Sequence, residues 1–242
     1  MADRETSLFL ASALADVFRG VPTLAIGANS PIPAAAALLA QRREPSMRVS
    51  ILGSPAHNPY TNGGGELFDY AAEGRLACFV LGALQIDGAG NLNLVSVGDY
   101  DQPTVRYPGS FGSGLLYYTV PRVVVFREDH SPRALVDKVD FVSATGTSPP
   151  GVYRPGGPAY LVTGKAVFRF DRECAQFALQ SVHPGHTRDE VIAATGFRFA
   201  RADGPAPVTS LPSEQDRRWL TGPIADALLE GYPEFARLLM GD

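Results

Sequence analysis

The side chains most readily recruited for nucleophilic, acid–base or metal chemistry are four histidines, at 57, 130, 183 and 186, and two cysteines, at 78 and 174. A triad hydrolase needs its nucleophile on a sharp elbow, and no Gly-x-Ser-x-Gly is present; Gly112-Ser113-Gly114 is too short to be that turn. His183 and His186 flank Pro184-Gly185 at a spacing that could supply two metal ligands, but no Glu or Asp ligand cluster accompanies them. They read as a turn feeding a helix. Cys78 lies in an apolar run and Cys174 follows Asp171-Arg172-Glu173, without a CxxC pair or a nearby histidine, so both read as free thiols and no metal is expected. Pro108-Gly109-Ser110-Phe111-Gly112-Ser113-Gly114, followed by apolar Leu115-Leu116-Tyr117-Tyr118, could turn successive backbone N–H groups toward an anion or a developing oxyanion. No lysine follows the glycines and the spacing is not that of a dinucleotide fingerprint. On the pattern alone the segment is either such a cradle or a glycine-rich connection.

These residues need a scaffold. The chain has 242 residues, 45% hydrophobic and 19% charged, with 25 Gly and 20 Pro, a profile that suits one large turn-rich α/β domain and excludes disorder for most of its length. A net charge of −4 argues against nucleic acid as a partner. The longest apolar stretch, Leu76–Leu84, is too short to span a bilayer, and Met1-Ala2-Asp3-Arg4-Glu5 lacks the layout of a signal peptide, so the expectation is a cytoplasmic protein.

Apolar periodicity predicts a helix over 5–18, stopped by Gly20 and Pro22. Thr23–Ala28 reads as a strand, Asn29-Ser30-Pro31 as the start of a helix running through Ala34–Gln41, and Arg48–Gly53 as the next strand. Ser54–Gly65, ending in three glycines, is expected to be an irregular loop that runs near or over something. A helix at Leu67–Arg75 and a strand at Leu76–Leu84 follow, the unbroken apolar character of the strand suiting a parallel sheet covered on both faces. Leu92–Val97, Arg122–Phe126 and Val139–Ser143 are further expected strands, and 147–158 a surface loop. Tyr160–Thr163, Ala166–Phe170 and Phe177–Val182 look like an antiparallel meander. Thr187-Arg188-Asp189-Glu190 has the capping-box pattern of a helix start, 200–212 is rich in Pro and Gly, and the tail from 214 to 240 is helical in pattern, broken at Gly222-Pro223 and Gly231-Tyr232-Pro233.

Several spaced blocks carry a resemblance. Phe68-Asp69-Tyr70-Ala71, Gly74-Arg75-Leu76 and Leu81-Gly82-Ala83-Leu84-Gln85-Ile86-Asp87-Gly88-Ala89-Gly90-Asn91-Leu92-Asn93 are similar to the core of β-type subunits of class I coenzyme A transferases. Gly98-Asp99-Tyr100, Pro103–Ser110, Val136–Phe141 and the block from His183-Pro184-Gly185 to Gly196-Phe197 resemble the glutaconate CoA-transferase branch in particular. The similarity runs over about residues 20–200, with Ala25–Pro31 matching more loosely.

That resemblance implies a single β-subunit-like domain over 1–242, with a helical C-terminal tail at 200–242 and an open, mostly parallel α/β sheet flanked by helices, antiparallel in its C-terminal part. It also implies an α-type partner subunit, in an α2β2 heterotetramer, and an acyl-CoA substrate at the junction of the chains, with coenzyme A entering as part of the substrate and no permanent cofactor. Transferases of the family use a glutamate of this subunit as nucleophile. Its place falls in Val49-Ser50-Ile51-Leu52-Gly53-Ser54, where no carboxylate stands, and Ile51 takes the position, so no catalytic residue is assigned to this chain. Glu66 and Glu73, on the next helix, read as surface or capping residues. The expected substrate-binding residues are Asn29, Ser54, Gln85, Gly109, Ser110, Gly112, Ser113 and Gly114. Relatives without the glutamate cleave C–C bonds hydrolytically or decarboxylate CoA thioesters. The expectation is therefore hydrolase or lyase chemistry with the general base on the partner, the alternatives being true CoA transfer and a noncatalytic scaffold.

Overall fold

The computed structural model describes residues 3–200 and 204–241. The chain opens with helix α1 (Arg4–Val17), capped by the Asp3 carboxylate, which accepts from the Thr6 amide. Four short parallel strands follow, β1 (Thr23–Ile26), β2 (Arg48–Ile51), β3 (Cys78–Leu81) and, after the small ladders described below, β8 (Arg122–Arg127). Strand β9 (Pro158–Thr163) adds a fifth parallel member, and β10 (Ala166–Asp171) and β11 (Gln176–Val182) complete the sheet as the expected antiparallel meander. The spatial order is β11-β10-β9-β8-β3-β1-β2.

Beginning at β1, the chain steps first to one side, to β2, and then back across β1 to β3. Right-handed crossovers in opposite directions put their helices on opposite faces. Helix α2 (Pro31–Arg43), between β1 and β2, packs with α1 on one face. Helix α3 (Gly63–Ala72), between β2 and β3, packs on the other, together with α4 (Ser113–Thr119). The gap between the carboxyl ends of β1 and β3, where the direction of winding reverses, is the place where open α/β sheets leave a crevice.

Burial of both faces explains the unbroken apolar strands. Along β3, Cys78 and Val80 enter the α1–α2 core while Phe79 and Leu81 enter the α3–α4 core. Cys78 is free and buried, which pushes its thiol up to about 12, and Cys174 is free and exposed. Helix α2 is apolar nearly all round, Ala34–Ala37 being fully buried, as a helix wedged between a sheet and further helices must be.

The described residues from 204 to 241 include helices that join the core. Leu211 and Val208 are exposed, but beyond them α6 (Glu214–Trp219), a π-type turn (Leu220–Ile224), α7 (Ala225–Leu228) and α8 (Pro233–Met240) place Leu220, Ile224, Leu228, Phe235 and Leu239 in the α1–α2 core. Gly222-Pro223 breaks the helix as expected, Gly222 leaving helical dihedrals where the proline lacks an N–H. Residues 201–203 of the Pro/Gly-rich stretch lie outside the described residues.

Three expectations are corrected. Val139–Ser143 is not a strand: it makes irregular contacts, only the neighbouring Ala144 bridging to Leu92, because the Asp140 carboxylate is used to hold a loop. Leu92–Val97 divides into two-residue ladders, β4 (Gln85–Ile86) with β5 (Leu92–Asn93) and β6 (Ser96–Val97) with β7 (Val105–Arg106). Helix α3 begins at the three glycines rather than at Leu67, because Glu66 turns back to accept from the Thr61 and Asn62 amides and closes its first turn. The capping box of α5 (Arg188–Ala194) is as read, both Thr187–Glu190 bonds being made. The stretch 147–157 is an irregular loop, organised by Arg154, whose guanidinium donates to the carbonyls of Tyr117, Thr145, Thr147 and Gly156.

Candidate active site

A cleft of about 580 Å³ opens at the reversal point. Its floor is the carboxyl ends of the strands: Gly27 and Ala28 after β1, Leu52 after β2, Leu81 and Gly82 at the end of β3. One wall is the β1–α2 turn with Asn29 and Ser30, another the first turn of α3 with Gly63 and Gly64, and the third the segment Gly109, Ser110, Phe111 and Ser113 that leads into α4. Three helix N-termini thus converge, and each carries backbone N–H groups that the helix itself leaves unused.

The lining residues contain no Asp, Glu, His, Cys, Lys or Arg. Its polar groups are backbone amides and the side chains of Asn29, Ser30, Asn58, Ser110 and Ser113. The amides of Ala28 and Asn29 on one wall and of Ser110 and Phe111 on the other meet no acceptor among the described residues. The arrangement supplies uncharged hydrogen-bond donors and a positive helix-end field to a group that develops negative charge. It supplies no nucleophile of its own strong enough to form an acyl-enzyme: the hydroxyls present have no base beside them.

Two of the three non-glycine residues with left-handed backbone among those described, Asn29 (φ 53°) and Phe111 (φ 48°), lie in this lining. Such conformations cost on the order of 1 kcal/mol and persist where the surroundings hold them. The Phe111 ring rests on Phe68, centroids 5.4 Å apart, and over Gly64, where a Cβ would stand 2.5 Å from a ring carbon.

Of the eight residues expected to bind substrate, the cleft brings together Asn29, Gly109, Ser110 and Ser113. The other four are elsewhere. Gly112 is pressed against the Phe68 ring and Gly114 against the Ser143 carbonyl, so both serve packing. Gln85 is buried: its amide donates to Asp140 at 2.9 Å, and its carbonyl accepts from Asn93 at 2.8 Å and from the Asp140 amide at 3.0 Å, so both ends of the group are engaged internally. Ser54 is also buried and donates to Glu230 from the α7–α8 turn, while His57 Nδ1 stands 2.9 Å from its Oγ. Serine, histidine and carboxylate meet here with the carboxylate on the serine, an arrangement that ties down a loop instead of activating a hydroxyl. Ile51 faces away from the cleft, fully buried in the α1–α2 core. Leu52, the first residue after β2, borders the cleft instead.

His130 and His183 are structural. His130 Nδ1 lies 2.7 Å from Thr163 Oγ1, and His183 Nε2 donates to the Thr163 carbonyl at 2.9 Å with Nδ1 2.9 Å from Thr209 Oγ1. Burial pulls both imidazoles down to about 4, so both are neutral at pH 7. Among the described residues no three His, Cys, Asp or Glu side chains form a metal-holding group, and no helix is long and apolar enough to cross a membrane.

The family model described as coenzyme A transferase matches residues 9–194. The chain belongs to the coenzyme A transferase family. Within the family its relatives are B-type chains, in keeping with the resemblance read from the motifs. The B-type chain of the 3-oxoadipate CoA-transferase of Pseudomonas knackmussii is 36% identical over 146 residues, 56% of this chain and 55% of that one. The B-type chain of the glutaconate CoA-transferase of Acidaminococcus fermentans is 34% identical over 131 residues, 51% of this chain and 48% of that one. The chain thus spans about half the length of each of these two. The cholesterol ring-cleaving hydrolase IpdB subunit of Rhodococcus jostii is 30% identical over 229 residues, 87% of this chain and 88% of that one. The crystal structure of Rhodococcus jostii RHA1 IpdAB matches the fold with a TM-score of 0.78 at 28% identity, covering 90% of this chain and 93% of that one.

Several lining residues of this coenzyme A transferase family member escaped the sequence reading: Leu52, Asn58, Gly63, Gly64, Leu81 and Leu94 among them. The glycine run at 63–65 did signal a close approach, but only the position of α3 across the crevice says to what. Phe111 lay within the segment read as a possible cradle, but its left-handed backbone is invisible in a list of residue types.

Proposed function

We propose that this chain is the B-type half of a heteromeric enzyme that cleaves a C–C bond of an acyl-CoA thioester by hydrolysis, with the general base on an A-type partner in an α2β2 assembly. The observation that carries the reading is the cleft lining, rich in unspent backbone donors and free of any titratable side chain. CoA transfer through an acyl-enzyme anhydride requires a carboxylate nucleophile, and the residue that borders the cleft at the end of β2 is Leu52. Hydrolytic cleavage makes a different demand. A base on the partner takes a proton from water, the water oxygen adds to a ketone carbonyl of the acyl group, and the C–C bond breaks. Its electron pair passes into the carbon next to the thioester carbonyl, giving an enolate whose oxygen needs donors, and protonation of that carbon completes the reaction. The amides of Ala28, Asn29, Ser110 and Phe111 suit that oxygen. The near full-length similarity to a subunit of a ring-cleaving hydrolase favours hydrolysis over decarboxylation.

The test is mass spectrometry of the co-expressed complex after incubation with acyl-CoA thioesters in H₂¹⁸O. Hydrolysis predicts product carrying ¹⁸O and no covalent adduct on either chain. A glutamyl-CoA adduct would replace this reading by true transfer, and unaltered thioester across a panel of ketone-bearing acyl groups would leave the chain a scaffold.

A further inference from the structure

Phe111 is 83% exposed, the most exposed large apolar side chain among the described residues, and it holds that position at a backbone conformation unfavourable to an aromatic residue. Glycine stands on either side of it in the segment, at 109 and 112, and would have taken the same φ without strain. Strain and an uncovered ring are two costs with no return in the isolated chain, and both fall at the rim of the cleft, where the ring is seated on Phe68 and in the space left by Gly64. Below it the walls are apolar: Leu52, Leu67, Phe79, Leu81, Leu94 and Leu116.

Charge sets a second condition. Two of the relatives carry names of dicarboxylic acyl groups, 3-oxoadipate and glutaconate. The far carboxylate of such a group would enter a cleft whose lining on this chain offers no Arg, Lys or His to pair with it, among apolar walls that raise the cost of leaving it bare. An uncharged ring meets the opposite situation: apolar walls, and at the rim an aromatic face already in place.

We propose that Phe111 is a specificity residue that stacks on a bulky, alicyclic, uncharged portion of the acyl group and thereby selects ring-bearing acyl-CoA thioesters over short dicarboxylic ones. The inference rests on the reading of the cleft as the acyl-CoA site and adds to it the class of acyl group and the residue that chooses it.

Calorimetric titration of the co-expressed heteromer with cyclohexanecarbonyl-CoA, glutaryl-CoA and free CoA, for the natural protein, Phe111→Gly and Phe111→Leu, tests it. The natural protein is expected to bind the alicyclic thioester about tenfold more tightly than glutaryl-CoA, the scale of one aromatic contact. Phe111→Gly should remove most of that preference, read as the ratio of the two affinities within each protein, and Phe111→Leu should fall between. Because glycine relieves the backbone, the melting temperature of Phe111→Gly should be equal or higher, which separates loss of selectivity from loss of fold. An unchanged ratio in Phe111→Gly, or a natural preference for glutaryl-CoA, overturns the proposal while the acyl-CoA reading stands. Dissociation of the Phe111→Gly heteromer on size exclusion also overturns it, by making the ring a subunit contact. If the natural heteromer binds neither thioester nor free CoA, the acyl-CoA reading of the cleft itself fails, and this inference with it.

Discussion

The ring of Phe68 on α3 fills the space that a Cβ on Gly112 would occupy, and the ring of Phe111 likewise fills the space beside Gly64 on α3. Each of the two elements lends a ring to a glycine of the other. The two rings therefore pack across the seam between α3 and the segment before α4, at one wall of the cleft.

Gly112→Ala should therefore destabilise the chain by about 1–3 kcal/mol, the range for overpacking, even though the Gly112 backbone (φ −91°) tolerates alanine. In a Phe68→Ala background the same change should cost under about 0.5 kcal/mol. Urea denaturation of the four proteins of this double-mutant cycle measures the coupling; additive effects would show that the two residues do not share one space.

Ile51→Ala should cost about 2–5 kcal/mol in unfolding free energy, as for other fully buried aliphatic side chains, and leave the Michaelis constant for acyl-CoA unchanged in the assembled enzyme. Leu52→Ala should do the reverse, raising the Michaelis constant with a smaller loss of stability, because its side chain borders the cleft. Chemical denaturation and steady-state kinetics on both variants decide the facing of β2.

Glu230 accepts from the Ser54 hydroxyl and from the Ala56 amide at 3.1 Å, and the Ser54 bond, first, holds its carboxyl below the usual range. Glu230→Ala should speed hydrogen exchange at Ala56 and His57 without altering exchange in α3. A carboxyl lowered in the folded state stabilises above its unfolded pKa and loses that contribution as pH falls through the folded value, so the natural protein should show the same loosening of this loop only at acid pH. Unchanged exchange at Ala56 in the variant would mean that the loop is held by other contacts.

The two buried histidines give a pH signature in a different window. Their folded values near 4 lie below the ordinary 6.5, so the folded state binds fewer protons than the unfolded state between those limits. Their contribution is present above about pH 6.5 and is lost progressively as pH falls toward 4, with an upper bound on the order of 3 kcal/mol for each. Melting temperature should decline over that interval, and His183→Gln, which keeps a donor for the Thr163 carbonyl, should flatten the decline. A natural protein whose melting temperature is level from pH 6.5 to 4 would contradict the burial of these rings.

Much of the scaffold was legible in residue order alone. An unbroken apolar run such as Leu76–Leu84 suits a strand covered on both faces, the Thr187–Glu190 box marks a helix start, and Gly222-Pro223 interrupts a helix. The blocks around Phe68, Gln85 and Gly109 also carried the family. These are local or pattern properties, determined by side-chain size, hydrogen-bonding capacity and backbone freedom within a few residues.

What each residue faces was settled only in three dimensions. Ile51 and Leu52 are neighbours of similar hydrophobicity, and one enters the core while the other meets the cleft because pairing with β1 sets which side of β2 lies under α2. Ser54 and Gln85 have the chemistry of ligand-binding groups, but their hydrogen bonds are consumed by Glu230 and Asp140, 176 and 55 residues away in sequence. Gly112 and Ser113 differ in role by one position because Phe68 arrives from another helix. A polar or flexible residue can bind a ligand only with groups that the fold has left unspent, and those are known only when the distant partners are in place.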